Sequence, residues 1–147
     1  MGYLPHEDGV THLNIYSGAK TELGKWLSNW TYEPFTCEDG DFASIEGYWY
    51  WLGIGDYRFR KLHGFAAKKL GRSLPRVLQH TDTEFRAKIK KAIDIKLMIR
   101  PDMAEKLKNS TLPLTHYYVY GNKMVQGGAL WIIDYIEQQR KEMRHGK

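Results

Sequence analysis

Apolar and polar positions change rhythm several times along this 147-residue chain, and each change marks an element. Residues 1–9 carry Pro5 and Gly9 among polar neighbours and read as a flexible N-terminal arm. Residues 10–16 are strand-like, and 17–25, punctuated by glycines, read as a loop with one short helical turn. Two short runs, 35–38 and 41–43, flank Asp39-Gly40, which predicts a two-residue hairpin. Directly after it Ser44 is placed as a helix N-cap. Ile45, Tyr48, Trp49 and Leu52 then fall at helical spacing on one apolar face. Gly53 and Gly55 end that helix, and Asp56 can cap the next segment. Residues 57–62 and 65–70 read as two short helices broken at Gly64, with Gly71 as a C-cap and Arg72 just beyond it.

Further on, Thr81-Asp82-Thr83-Glu84 fits a capping box. It opens a long helix whose buried stripe is Phe85, Ile89, Ala92, Ile93 and Leu97. Arg100-Pro101 stops that helix, because proline disfavours helical geometry in the residue before it. The same proline suits the first position of a short helix over 102–108. Residues 116–120 are a strand by composition, ending at Gly121-Asn122. Gly127-Gly128 opens a last helix that points Leu130, Ile133 and Ile136 inward. The pattern shows no repeat and no linker, and predicts an α+β fold: one domain over 10–147, mostly helical with a small sheet.

Composition narrows the partners. A net charge of +5 suits anionic ligands or nucleic acid, although the basic runs 86–96 and 140–147 read as solvated helix faces. Cys37 is the single cysteine, which rules out an internal disulfide and fits a reducing cytoplasm. No stretch has signal-peptide character or membrane-spanning length, so a cytoplasmic location without a membrane partner is expected. The histidines and the cysteine lack metal-ligand spacing, and no phosphate loop or nucleophile elbow is present; neither metal nor cofactor is expected.

Glu46 is the residue with chemical promise. Trp49 and Tyr50, three and four positions on, share its side of the helix. The helix dipole keeps a first-turn carboxylate ionised, whereas burial among Trp49 and Trp51 pushes the other way. A first-turn glutamate is also ordinary capping chemistry, and aromatic stripes usually fill cores, so the residues alone favour the structural reading.

Several stretches resemble, in order, the NADAR family. They are Leu27-Ser28-Asn29-Trp30 with Pro34-Phe35, then Ala43-Ser44-Ile45-Glu46-Gly47-Tyr48-Trp49 after Asp39-Gly40, and Ala67-Lys68-Lys69-Leu70-Gly71-Arg72. The helix from Phe85 to Leu97 follows, then Tyr120-Gly121 where members tend to have Trp-Gly, and Gly127-Gly128. The family includes the YbiA-like proteins, N-glycosidases of riboflavin-pathway intermediates, and hydrolases that remove ADP-ribose from guanine bases. The likeness spans roughly residues 13–144 and marks a divergent member. The lysine common seven residues after the glutamate is Gly53 here, the histidine next to the glutamate is Gly47, and an acidic position falls at Tyr117.

The resemblance implies an N-glycosidase that hydrolyses a ribosyl–nitrogen bond in an ADP-ribosylated guanine or a phosphoribosyl metabolite. Such a reaction passes through an oxocarbenium-like sugar, which calls for a nearby carboxylate and a positioned water. Glu46 takes that catalytic role. Ser28 and Asn29 are expected to hold ribose or phosphate oxygens, Trp30, Trp49 and Tyr120-Gly121 to wall the pocket, and Arg72 with Lys69 to grip phosphate. His116 is read as structural. The expected partner is an ADP-ribose-containing or phosphoribosyl ligand, with ADP-ribosylated DNA as one form. Two other readings are a module that binds ADP-ribose or nucleotide without cleaving it, and an interaction domain in phage–bacterium conflict.

Overall fold

The computed structural model describes residues 2–146. In chain order the elements are β1 (Leu13–Asn14), α1 (Glu22–Leu27), β2 (Phe35–Cys37), β3 (Gly40–Phe42), α2 (Ile45–Ile54), α3 (Gly64–Ser73), α4 (Thr83–Ile99), α5 (Pro101–Asn109), β4 (Leu114–Thr115), β5 (Tyr117–Tyr120), β6 (Lys123–Gln126) and α6 (Leu130–Arg144). Short 3₁₀ turns lie at Pro5–Glu7 and Tyr57–Lys61. Among the described residues the strands form three two-stranded sheets, β1–β4 parallel, and β2–β3 and β5–β6 antiparallel. The fold is α+β and mostly helical with small sheets, as the pattern predicts. Contacts divide it into two compact units: Asn29–Arg100, and the stretches before and after it in sequence.

Within Asn29–Arg100 the local signals act as expected. Ser44 Oγ accepts from the Gly47 N–H at 2.9 Å and donates to the Leu62 carbonyl at 2.9 Å, so one hydroxyl caps α2 and ties it to the following turn. Gly55 closes α2 with φ of 91°, a left-handed conformation that glycine adopts without a Cβ penalty. Asp56 caps the 3₁₀ turn by accepting from the Arg58 N–H. The whole predicted stripe of α4 is buried, and Phe35, Phe42 and Tyr48 pack ring against ring beneath the hairpin. The cap of α4 is Asp82 rather than Thr81, its carboxylate accepting from the Phe85 N–H at 2.9 Å.

Three local expectations shift. The β2–β3 register pairs Cys37 with Gly40, so the turn is Glu38-Asp39, one residue before the predicted pair. Asp39 is drawn inward instead, because its carboxylate accepts from the Tyr48 hydroxyl at 2.7 Å and from Lys88 Nζ at 3.0 Å. Gly71 does not end α3, which runs on to Ser73; its bare Cα faces the Tyr50 ring, and a Cβ there would overlap that ring. The basic run over 86–96 is not wholly solvated either. Lys96 is buried on α4, and burial lowers its pKa to about 7 against the opposing charge of Glu33.

The other unit is held by a buried polar cluster. Asn14 donates to the Tyr117 carbonyl at 3.0 Å and accepts from its N–H at 2.9 Å, so a side-chain amide completes the edge that two-residue β1 leaves unpaired. His12 Nε2 meets the Tyr117 hydroxyl at 2.6 Å, and Asp8 accepts from the backbone N–H groups of Asn14 and Lys20. Residues 116–120 do not stop at Gly121-Asn122 but turn there into β6, a strand the pattern missed. In α6 the inward residues are Ile132, Ile133, Ile136 and Arg140, while Leu130 is exposed. Arg140, in the second basic run, is spent on the Ser110 and Leu112 carbonyls and on Glu137.

Candidate functional site

The first turn of α2 is built against Asn29 and Trp30. The Glu46 N–H donates to the Asn29 carbonyl at 2.9 Å, and the Trp30 carbonyl accepts from the Gly64 N–H at 3.1 Å. Trp30 is thereby pinned between the start of α2 and the start of α3. Its indole N–H, the one donor that side chain has, bonds to the Glu46 carboxylate. One turn into α3, Lys68 places its Nζ 5.5 Å from the centre of the Trp30 ring, close enough to Glu46 for its charge to be felt there.

Desolvation dominates the balance at Glu46. It raises the carboxyl pKa to about 7, against the lowering effects of the Lys68 charge and the Trp30 hydrogen bond. Glu46 still keeps partial contact with solvent. A carboxyl that is partly open and titrates near neutrality can both take and return a proton at physiological pH. Between the dipole and burial, burial wins. The two side chains that act on the carboxylate, Trp30 and Lys68, both work against that rise.

The tryptophans expected from helical spacing, Trp49 and Trp51, are engaged elsewhere. Trp51 lies 5.4 Å from Phe42 and under the Arg60 guanidinium, while Trp49 stacks on His80 at 5.3 Å and meets Phe85 edge to face at 4.9 Å. Above Trp49 and Phe85 sits Arg76, carried by the loop after α3, with its guanidinium carbon 5.9 Å and 5.6 Å from the two ring centres. It fills the space that Gly53 leaves, where any side chain would overlap it. Its Nε and Nη2 are shielded from solvent and have no hydrogen-bond partner among the described residues, a rare state for a buried charged donor. Burial pulls its pKa down. Gly53 and Glu46 lie two turns apart on the same side of α2, roughly 10 Å along the axis.

Of the residues expected in the site, Asn29, Trp30 and Glu46 are brought together. Lys69 is exposed, and its neighbour Lys68 is the lysine at Glu46. Arg72 lies exposed within the last turn of α3 instead of beyond a glycine cap. Ser28, Tyr120 and Gly121 belong to the other unit. There Ser28 is the buried C-cap of α1, and Tyr120 with Gly121 forms the exposed tip of the β5–β6 hairpin. His116 bonds through Nδ1 to the Ile15 carbonyl at 2.6 Å, a packing role. Lys68 and Arg76 were missed by sequence reasoning. The Ala-Lys-Lys run offered two lysines with no means of choosing, and Arg76 sits in a loop that carries no pattern.

An open cleft of about 470 Å³ lies elsewhere in the same unit, lined by Tyr32, Pro34, Asp41, Phe42, Ala43, Arg60 and Lys61. Among the described residues no group of three or more His, Cys, Asp or Glu is disposed to hold a metal, and no helix is long and apolar enough to cross a membrane.

No family model matches the chain, and no curated protein matches it in sequence. Among solved structures, the NMR structure of the Escherichia coli protein YbiA is similar, at 16% identity and a TM-score of 0.66, covering 92% of this chain and 90% of that one. The likeness covers nearly the full length of both chains, and the chain has a YbiA-like fold.

Proposed function

We propose that the chain is a divergent NADAR-type N-glycosidase that hydrolyses a ribosyl–nitrogen bond, in an ADP-ribosylated guanine or a phosphoribosyl metabolite. The observation that carries this reading is the Glu46 carboxyl, set at the start of α2 with the Trp30 N–H bonded to it and Lys68 nearby, where burial raises its pKa to about 7. As the bond from the anomeric carbon to nitrogen lengthens, its electron pair leaves with the nitrogen and positive charge builds on the sugar. The ionised Glu46 offsets that charge and takes a proton from the water whose oxygen bonds to the anomeric carbon. Glu46 then returns that proton to the departing nitrogen, so the base leaves neutral and the carboxylate is restored. Arg76, with donors unspent two turns along the same side of α2, supplies the charge for a substrate phosphate in place of Arg72.

The test is incubation of the full chain with an ADP-ribosylated guanosine oligonucleotide and, separately, with phosphoribosyl nucleotides, following release of the free base or sugar phosphate. Release that disappears in Glu46→Gln supports the reading; equal release by that variant removes Glu46 from the mechanism.

A second reading, a module that binds the ligand without cleaving it, is favoured by Tyr117. This position is acidic in the family, yet here it is a buried phenol bonded to His12 and unable to serve as a second acid. Calorimetric binding of ADP-ribose with no product after prolonged incubation would favour that reading over hydrolysis.

A further inference from the structure

The open cleft at Tyr32, Arg60 and Lys61 contains none of the groups used above, and its chemistry is distinctive. Its 470 Å³ falls in the range of small-ligand sites, about 300–1,000 Å³. Arg60 lies over two rings, its guanidinium carbon 4.6 Å from the Phe42 centre and 4.9 Å from that of Trp51. These ring contacts take none of the N–H donors along the edge of the group. No hydrogen bond or ion pair engages that edge among the described residues, and the carboxylate it faces, Asp39, is already held by Tyr48 and Lys88. Lys61 is exposed beside it. The lining's one acid, Asp41, is exposed and accepts from the Thr36 hydroxyl at 2.6 Å. Two cations against one anion suit a single phosphate better than the dense charge of a duplex. Tyr32 completes the set: the residue is 61% exposed, and its ring meets His63 edge-on at 5.1 Å, which leaves it able to receive a flat partner.

We propose that this cleft binds a nucleotide unit of single-stranded nucleic acid, with a phosphate on Arg60 and Lys61 and the base stacked on Tyr32. Stacking on an aromatic ring with a cation at the backbone is how single strands are held without choice of sequence. The open shape lets the chain run on at both sides. The proposal stands apart from the N-glycosidase reading, because every residue it uses lies outside the Glu46 group.

The experiment is fluorescence anisotropy of the full chain with a labelled oligothymidylate, a duplex of matching length, and adenosine monophosphate as competitor. The single strand is expected to bind in preference to the duplex. Tyr32→Ala and Lys61→Gln, both at exposed positions, are each expected to weaken binding about tenfold. Arg60→Gln should do the same, with circular dichroism confirming that the ring stack beneath it still folds. Glu46→Gln should leave binding unchanged, so loss of hydrolysis and loss of strand binding are read independently. The proposal is overturned by no strand binding, by binding of adenosine monophosphate alone, by equal affinity for the duplex, or by full affinity in Tyr32→Ala and Lys61→Gln.

Discussion

At Glu46 the helix dipole, an indole N–H and a lysine all favour the charged carboxylate, yet burial outweighs them and leaves its pKa at about 7. Hydrolysis that needs the ionised form is therefore expected to show an acid limb in kcat/KM with its midpoint near pH 7. Lys68→Met and Trp30→Phe each remove a group that lowers this pKa. Both should move the limb to higher pH, and a limb that stays in place would show that neither group acts on the titrating residue. Stability carries the same signature. An unfolded glutamate titrates near 4.5 and the folded one at about 7, so the stabilising effect of the protonated form is whole below pH 4.5 and is lost as pH rises through 7. Glu46→Gln never ionises. Its urea midpoint should exceed that of the parent at about pH 8 and converge with it at about pH 4; a constant difference across that window would contradict the burial argument.

Of the three glycines in α2 and at its C-cap, two face different obstacles and one faces none, and substitution separates them. A Cβ at Gly47 would strike the backbone carbonyls of Phe59 and Leu62, which cannot swing aside. Gly47→Ala should thus cost on the order of 1–3 kcal/mol and lower the melting temperature. The same clash leaves no room for any larger side chain at this position. A Cβ at Gly53 meets the far end of Arg76, which can move. Gly53→Ala gains up to about 1 kcal/mol of helix propensity, so the melting temperature should hold or rise while KM for a phosphate-bearing substrate increases. Gly55, by contrast, is a plain terminator with open space around it.

What the sequence revealed follows the same division between near and far. Ser44, Asp56, Pro101 and the α4 stripe act within a few residues, and each was legible from its neighbours. The Glu38-Asp39 turn was misplaced because Lys88, far along the chain, decides where Asp39 points. Arg76 settling against Gly53, and Trp30 supplying the ring at Glu46, depend on tertiary approach that spacing along one helix cannot encode. The catalytic candidate itself was legible, but only one of its two polar neighbours, Trp30, was among the residues singled out.

Over the whole molecule the chain order imposes a sequence of events. Asn29–Arg100 is one uninterrupted stretch, whereas the other unit is closed by β1 pairing with β4, Leu13 against Leu114, about a hundred residues apart. Closing so long a loop costs entropy before any contact rewards it. In pulsed hydrogen exchange during refolding, the amides of α4 are expected to gain protection before those of Leu13 and Ile15, which bond to Pro113 and Thr115; simultaneous protection would show that the two units form together. Synthesis from the N-terminus sharpens the point. Trp30, Glu46, Lys68 and Arg76 have all been translated before Leu114 leaves the ribosome, so a nascent chain can gather these side chains while its first strand still waits for a mate.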